Sequence, residues 1–220
     1  YGFPEISCDI SAKLRYSKRI AVPGCHASGF IALVYPLIEH GILSPDAHLT
    51  CHSVTGYSGG GKKMIGQYED TQRSPLLDAP RQYGLTQQHK HLKEMKAITG
   101  LLNAPIFCPI VADFYSGMTV TVPLFSSDLI PGKTLSDIKE VYKEKYKGEV
   151  VKFATAIDEE GFISATALSG KDSMEITVYG NDERIVLTAR YDNLGKGASG
   201  AAVECMNIVI GADPIKGLAL

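Results

Sequence analysis

The stretch Ile20-Ala21-Val22-Pro23-Gly24-Cys25-His26-Ala27-Ser28-Gly29-Phe30 constrains this chain more than any other. A short apolar run, a Pro-Gly turn and a long apolar segment of helical period predict a buried strand end, a turn and a helix that opens at Cys25. A thiol in that position meets unpaired backbone N–H groups and the positive end of the helix dipole, both of which favour the thiolate. Cys25 is therefore the candidate nucleophile, with an expected lowered pKa. Free cysteine is also a small hydrophobe that protein cores bury, so the rest of the chain has to decide between the two roles.

The 220 residues are 45% hydrophobic, enough for the core of one large or two small domains. A net charge of -2 gives no general basic face, which argues against a nucleic-acid partner. The five cysteines are odd in number and contain no C-x-x-C. Neither a disulfide framework nor a zinc ribbon is expected, and a reducing, cytoplasmic setting is the simpler reading. No apolar run approaches the roughly 20 residues that span a bilayer, so no membrane partner is expected. The chain starts at Tyr1 without Met and shows no signal peptide, which reads as a piece of a longer protein.

Residues 1–19 read as irregular entry structure. The helix from Cys25 is expected to run to about Leu43, kinked or interrupted at Pro36 and ended by Gly41. A strand is expected over 47–55, then a glycine-rich loop, Gly56-Tyr57-Ser58-Gly59-Gly60-Gly61-Lys62-Lys63, before a short helical stretch near Met64–Tyr68. This loop approaches the nucleoside-triphosphate pattern but carries Lys63 where a magnesium-binding hydroxyl belongs. A cradle of N–H groups for one phosphate or oxyanion remains. His89 and His91, two apart in an extended backbone, would point the same way and precede a helix to about Leu101. They suit a paired active-site role. His48 and His52 complete no metal-ligand spacing with them, so no metal is expected.

Further on, Ile106–Val111 and Met118–Phe125 read as an antiparallel pair about Ser116-Gly117. Thr134 and Asp137 form a capping box ahead of a helix, and strands are expected over 150–155, 163–168, 174–179 and 184–191, the last two as a hairpin. Gly195 to Gly200 satisfies G-x-G-x-x-G, but too little chain follows for a dinucleotide-binding unit. A thiol, histidines and an anion-binding loop together suit either acyl transfer through a thioester or a thiol hydrolase.

Four motifs settle on a family: Pro23-Gly24-Cys25-His26-Ala27-Ser28-Gly29, Ser53 to Lys62, His89-Lys90-His91-Leu92-Lys93-Glu94-Met95, and Asp192-Asn193-Leu194-Gly195-Lys196-Gly197-Ala198-Ser199-Gly200. In this order, over nearly the whole chain, they closely resemble N-acetyl-gamma-glutamyl-phosphate reductase of the second, shorter type. Two departures stand out: His26-Ala27-Ser28 where Tyr-Pro-Thr is usual, and Lys93 where Pro is usual.

The resemblance implies an α+β fold, the glyceraldehyde-3-phosphate-dehydrogenase-like catalytic domain, with a mixed, mostly antiparallel sheet and helices on one face. It implies residues 1–191 as a catalytic and dimerisation domain and 192–220 as a C-terminal helix packing on an NADP-binding domain that lies ahead of residue 1. The implied reaction is NADPH-dependent reduction of N-acetyl-glutamyl 5-phosphate to the semialdehyde in arginine synthesis, by a homodimer or homotetramer acting on a small-molecule substrate. Cys25 would be the nucleophile and His89, with His91 second, would pair with it and shuttle its proton. Ser58, Gly59, Gly60, Lys62 and Glu94 would hold substrate or phosphate, and Asn193, Lys196 and Gly197 would face the cofactor. A thiol hydrolase or acyltransferase active without NADPH, and a non-catalytic dimerisation module, are the competing readings.

Overall fold

Ser7 starts the first helix by accepting a hydrogen bond from the N–H of Asp9. This α1 (Cys8–Leu14) lies within the stretch expected to be irregular, in a computed structural model that describes residues 1–220. Residues 20–24 also differ from expectation. They are extended but join no sheet, and the carbonyl of Ala21 instead accepts from the N–H of Gly2 at 2.8 Å.

Helix α2 (Cys25–Glu39) is buried along most of its length, from His26 to Leu37. Pro36 lies inside it without ending it. A proline there removes the N–H that would reach the carbonyl of Ala32. That carbonyl instead accepts from the Tyr146 hydroxyl at 2.6 Å, and the next one, of Leu33, accepts from the Tyr142 hydroxyl. Tyr146 thus takes up the helical acceptor that Pro36 leaves free, and Tyr142 binds beside it. Gly41, at φ +62°, then closes the helix in the left-handed region that glycine reaches without strain.

The strands are β1 (Thr50–Gly56), β2 (Arg81–Gln82), β3 (Ile106–Ala112), β4 (Met118–Phe125), β5 (Val151–Phe153), β6 (Met174–Gly180) and β7 (Arg184–Tyr191). They form one sheet in the order β2-β3-β1-β4-β7-β6-β5. Pairs β1/β3 and β5/β6 are parallel and the others antiparallel, the mixed and mostly antiparallel sheet expected. The expected β3/β4 pair does not form, because both strands bond to β1, one on each side. The chain leaves β3, wraps the end of β1 and returns along its far edge. The carbonyls of Phe114, Tyr115 and Gly117 take the N–H groups of Tyr57, Ser58 and Gly56 during that passage. A Cβ at Gly56 would come within 2.4 Å of the Tyr115 carbonyl, so the wrap requires glycine. Residues 163–168, expected as a strand, are turns, and the β6/β7 hairpin forms as expected.

Between β1 and β3 lie α3 (Gly61–Glu69) and α4 (His91–Thr99), giving the crossover that parallel neighbours need. After β4 comes α5 (Leu135–Lys145), begun by the Thr134/Asp137 capping box, and after β7 comes α6 (Gly200–Val209). Helices α2, α4 and α5 cover one face of the sheet, where Phe107, Val120, Leu187, Ala189 and Ile176 meet Phe30, Leu33 and Leu37 in a single core. Each of these side chains larger than alanine contributes about 1.5–3 kcal/mol by leaving water. Helix α6 rests on α1 through Leu14, Cys205 and Ile208, while Leu218 and Leu220 return to the main core. No helix is long and apolar enough to cross a membrane.

Candidate active site

The carboxyl ends of β1 and β3, the amino end of α2 and the turn entering α3 converge on one cleft of about 480 Å³. Openings beyond the carboxyl ends of parallel strands are where such sheets take ligands. Of the residues singled out in the sequence, Cys25, His89, His91, Ser58, Gly59, Gly60, Asn193 and Gly197 all line it.

Cys25 is the first residue of α2, and its place is fixed from the sheet. The Tyr191 hydroxyl donates to the Cys25 carbonyl at 2.5 Å and accepts from the N–H of Gly29 at 3.0 Å. Gly24 before it donates its N–H to Glu94 Oε1 at 3.0 Å, and the same carboxylate oxygen accepts from the Tyr1 hydroxyl at 2.7 Å. Glu94 therefore ties the approach to the nucleophile and is not a lining residue of the cleft.

The thiol is not poised as the sequence suggested. Burial pushes the Cys25 pKa up; the N–H of His26 and the charge of Lys90 pull against it without winning. The helix-terminus argument identified the stabilising dipoles correctly, but burial was invisible to it. The histidines follow the same physics. Burial holds His89 below its ordinary value, brings His91 down to about 4 and holds His26 well below the ordinary range, each helped by neighbouring positive charge. The cleft at neutral pH thus holds a neutral thiol among neutral imidazoles, and the expected thiolate–imidazolium pair is not preformed.

His89 and His91 meet with ring centres 4.7 Å apart, although α4 opens at His91 and the backbone there is not extended. His89 Nδ1 accepts from the N–H of His91 at 3.3 Å. The His91 ring lies against Gly24, where a Cβ would come within 2.3 Å of Nε2. Two residues missed in the sequence complete this wall. His26 Nδ1 pairs with Ser53 Oγ at 2.7 Å, and its Nε2 pairs with the Tyr83 hydroxyl at 2.6 Å. The available signal was the departure of residue 26 from the family pattern. Lys90, between the two expected histidines, is a third lining residue passed over.

On the opposite side, Asn193 is a clamp. Its Oδ1 accepts from the N–H of Gly117 at 2.9 Å and its Nδ2 donates to Ser58 Oγ at 2.9 Å, holding the glycine turn against β4. Gly59, Gly60 and Gly61 then line the cleft at the start of α3, where the first helical N–H groups lack intrahelical acceptors.

Two expected binding residues are corrected. Lys62 is exposed and outside the lining. Lys196 is 2% exposed, and its Nζ pairs with Glu5 at 2.5 Å and Glu204 at 2.7 Å. Gly197 next to it does face the nucleophile, 3.1 Å separating an added Cβ from Cys25 Cβ. Gly195 and Gly200 press on the Lys171 carbonyl and the Asp172 side chain, so these glycines serve internal packing and not a pyrophosphate.

The cleft thus brings a cysteine at a helix start together with histidines at one end of a seven-stranded mixed sheet. A family model described as "Semialdehyde dehydrogenase, dimerisation domain" matches residues 25–193. Aspartate semialdehyde dehydrogenase II from Vibrio cholerae shares the fold at a TM-score of 0.68 and 16% identity, over 94% of this chain and 67% of that one. Relatives named N-acetyl-gamma-glutamyl-phosphate reductase are much nearer in sequence. That of Sinorhizobium medicae is 42% identical over 96% of this chain and 70% of its own length. One from Nostoc, carrying the suffix 2, is 39% identical over 99% and 71%. The chain belongs to the N-acetyl-gamma-glutamyl-phosphate reductase family.

Proposed function

We propose that this chain carries the acyl-transfer and reduction site of an enzyme that converts N-acetyl-L-glutamyl 5-phosphate to N-acetyl-L-glutamate 5-semialdehyde in arginine biosynthesis, using NADPH. The observation that carries this reading is Cys25 at the start of α2, in a cleft shared with His89, His91 and the Ser58–Gly61 turn.

His91 is the acid–base group. Its Nε2 stands against the residue preceding the nucleophile, and its Nδ1 has no partner, so nothing pins the proton to one ring nitrogen. His89 Nδ1 already accepts a backbone N–H, which leaves its Nε2 as a donor toward the phosphate or carbonyl oxygen. His91 takes the thiol proton as Cys25 Sγ bonds to the acyl carbon, and the carbon–oxygen bond to phosphate breaks with its electron pair leaving on phosphate. The glycine turn holds the departing anion.

The small residues Gly197 and Ala198, with Leu194, leave room on the opposite wall for the nicotinamide end of the cofactor, while buried Lys196 cannot reach it. Bound NADPH supplies the hydride that reduces the thioester carbon. When the carbon–sulfur bond then breaks, the sulfur keeps the electron pair and recovers the proton from His91, and the aldehyde leaves.

The exposed side chains of Met206 and Val209 on α6, and of Ile210 just after it, support the reading that residues 192–220 pack on a nucleotide-binding domain. The sheet face free of helices is where a second copy would pair, as a homodimer or within a homotetramer. A cytoplasmic setting fits the five free cysteines.

Exposure to an acyl phosphate tests the reading. Cys25 should gain a hydroxylamine-labile acyl group by mass spectrometry, and Cys25→Ser should lower NADPH-dependent reduction by at least about 10³-fold in the full-length enzyme. Full reduction by Cys25→Ser would sink the assignment.

A further inference from the structure

Ser53, His26 and Tyr83 form a hydrogen-bonded row that runs from the sheet to the cleft. Ser53 projects from β1 and is wholly buried, and His26 is 3% exposed. Tyr83 is half-buried and lines the cleft, and its N–H is anchored to the Pro109 carbonyl of β3 at 3.0 Å. The row has two possible directions, because a neutral imidazole carries one N–H and offers one lone pair.

In one direction Tyr83 donates to Nε2 and Nδ1 donates to Ser53. The Ser53 hydrogen is then left in the core, since His26 is the sole partner of its hydroxyl. An unpaired buried donor is the costlier arrangement. In the other direction Ser53 donates to Nδ1 and Nε2–H donates to Tyr83. Every buried proton is then used, and the Tyr83 hydrogen is free to point into the cleft, where no protein group accepts it.

We infer that Tyr83 is a catalytic hydrogen-bond donor to the carbonyl oxygen of a bound acyl compound, and that His26 and Ser53 are positioning residues that fix the direction of its hydroxyl. The inference deepens the function proposed above and rests on Cys25 attacking an acyl carbon in this cleft. As Sγ adds, the carbonyl oxygen gains negative charge, and a donor already oriented toward it stabilises that charge without reorganisation. Tyr83 gives up no proton in the step. Its hydrogen bond strengthens as charge develops and relaxes when phosphate departs.

Two measurements on this chain test it. Nitrogen-15 NMR of the His26 ring should show the Nε2–H tautomer at neutral pH, and Ser53→Ala should depopulate it. An Nδ1–H tautomer in the unmodified protein would overturn the inference. Acylation of Cys25 by acetyl phosphate, followed by mass spectrometry, should slow about 10²-fold in Tyr83→Phe, with a smaller loss in Ser53→Ala. Unmodified protein that acylates no faster than Tyr83→Phe would also overturn it. Absence of any Cys25 acylation in the unmodified protein would refute instead the acyl-transfer reading on which this one rests, which the tautomer result does not touch.

Discussion

Residues 192–197 face two regions built on opposite principles. On one side Gly197 abuts Cys25 in a cleft where burial holds the thiol and its histidines neutral and Lys90 is the cation of the lining. On the other, Lys196 enters a sealed pocket where it meets two carboxylates and the Phe3 ring, 5.1 Å from its centre. Charge is buried where the chain must be held, whereas the cation of the cleft, Lys90, is exposed. A buried cation shared by the entry segment at Glu5, the catalytic loop and α6 fastens three distant stretches together.

The largest effect should come from breaking the fastening. Lys196→Met leaves Glu5 and Glu204 buried without their cation and should cost about 3–5 kcal/mol in chemical denaturation. If that variant kept its stability and lost only cofactor affinity, Lys196 would belong to the cleft and the contrast would fail.

Acid should separate the two regions by sign. His91 has a folded pKa near 4 against an ordinary value of 6.5, so the unfolded chain binds its proton first. Its stabilising contribution is present above pH 6.5 and is lost as pH falls toward 4, up to about 3 kcal/mol. Glu204 runs the other way. Burial, then the charge of Glu5, raises it to about 7, so its contribution is present in acid and lost as pH rises through 7. Melting temperatures from pH 7.5 to 5 should fall more steeply in Glu204→Gln than in the unmodified protein.

A smaller change is expected at the thiol. Iodoacetamide modification of Cys25 should report a pKa above the ordinary thiol value, and Lys90→Ala should raise it further by removing the one nearby cation that favours the thiolate. The smallest effect belongs to Lys62, exposed and outside the cleft, where Lys62→Ala should change kcat/KM less than about twofold.

Local patterns in the sequence carried much of this fold. The Thr134/Asp137 box, the β6/β7 hairpin, β1 and the long helix opening at Cys25 each depend on residues close together in the chain. The β3/β4 pairing failed because it was decided by β1, which lies more than 50 residues away and offers both its edges. The site was legible as a set of residue types: cysteine, histidines, glycine turn. Their electrostatics were not, because burial sets the direction of every shift and no local pattern reports it. Lys196, flanked by glycines, was expected to face the cofactor, and its burial was hidden for the same reason. Its partners Glu5 and Glu204 come from the two ends of the chain.

The Tyr191 hydroxyl that bridges the Cys25 carbonyl and the Gly29 N–H has a mechanical consequence. It ties Cys25 to β7, whereas the other walls of the cleft, at 57–61, 83–91 and 193–198, lie outside the sheet. Cys25 is therefore the jaw of a vice that the sheet sets, and the turns at 57–61, 83–91 and 193–198 form the facing one. A substrate of altered length would be accommodated by resetting those turns, with the attacking sulfur left where the sheet has put it.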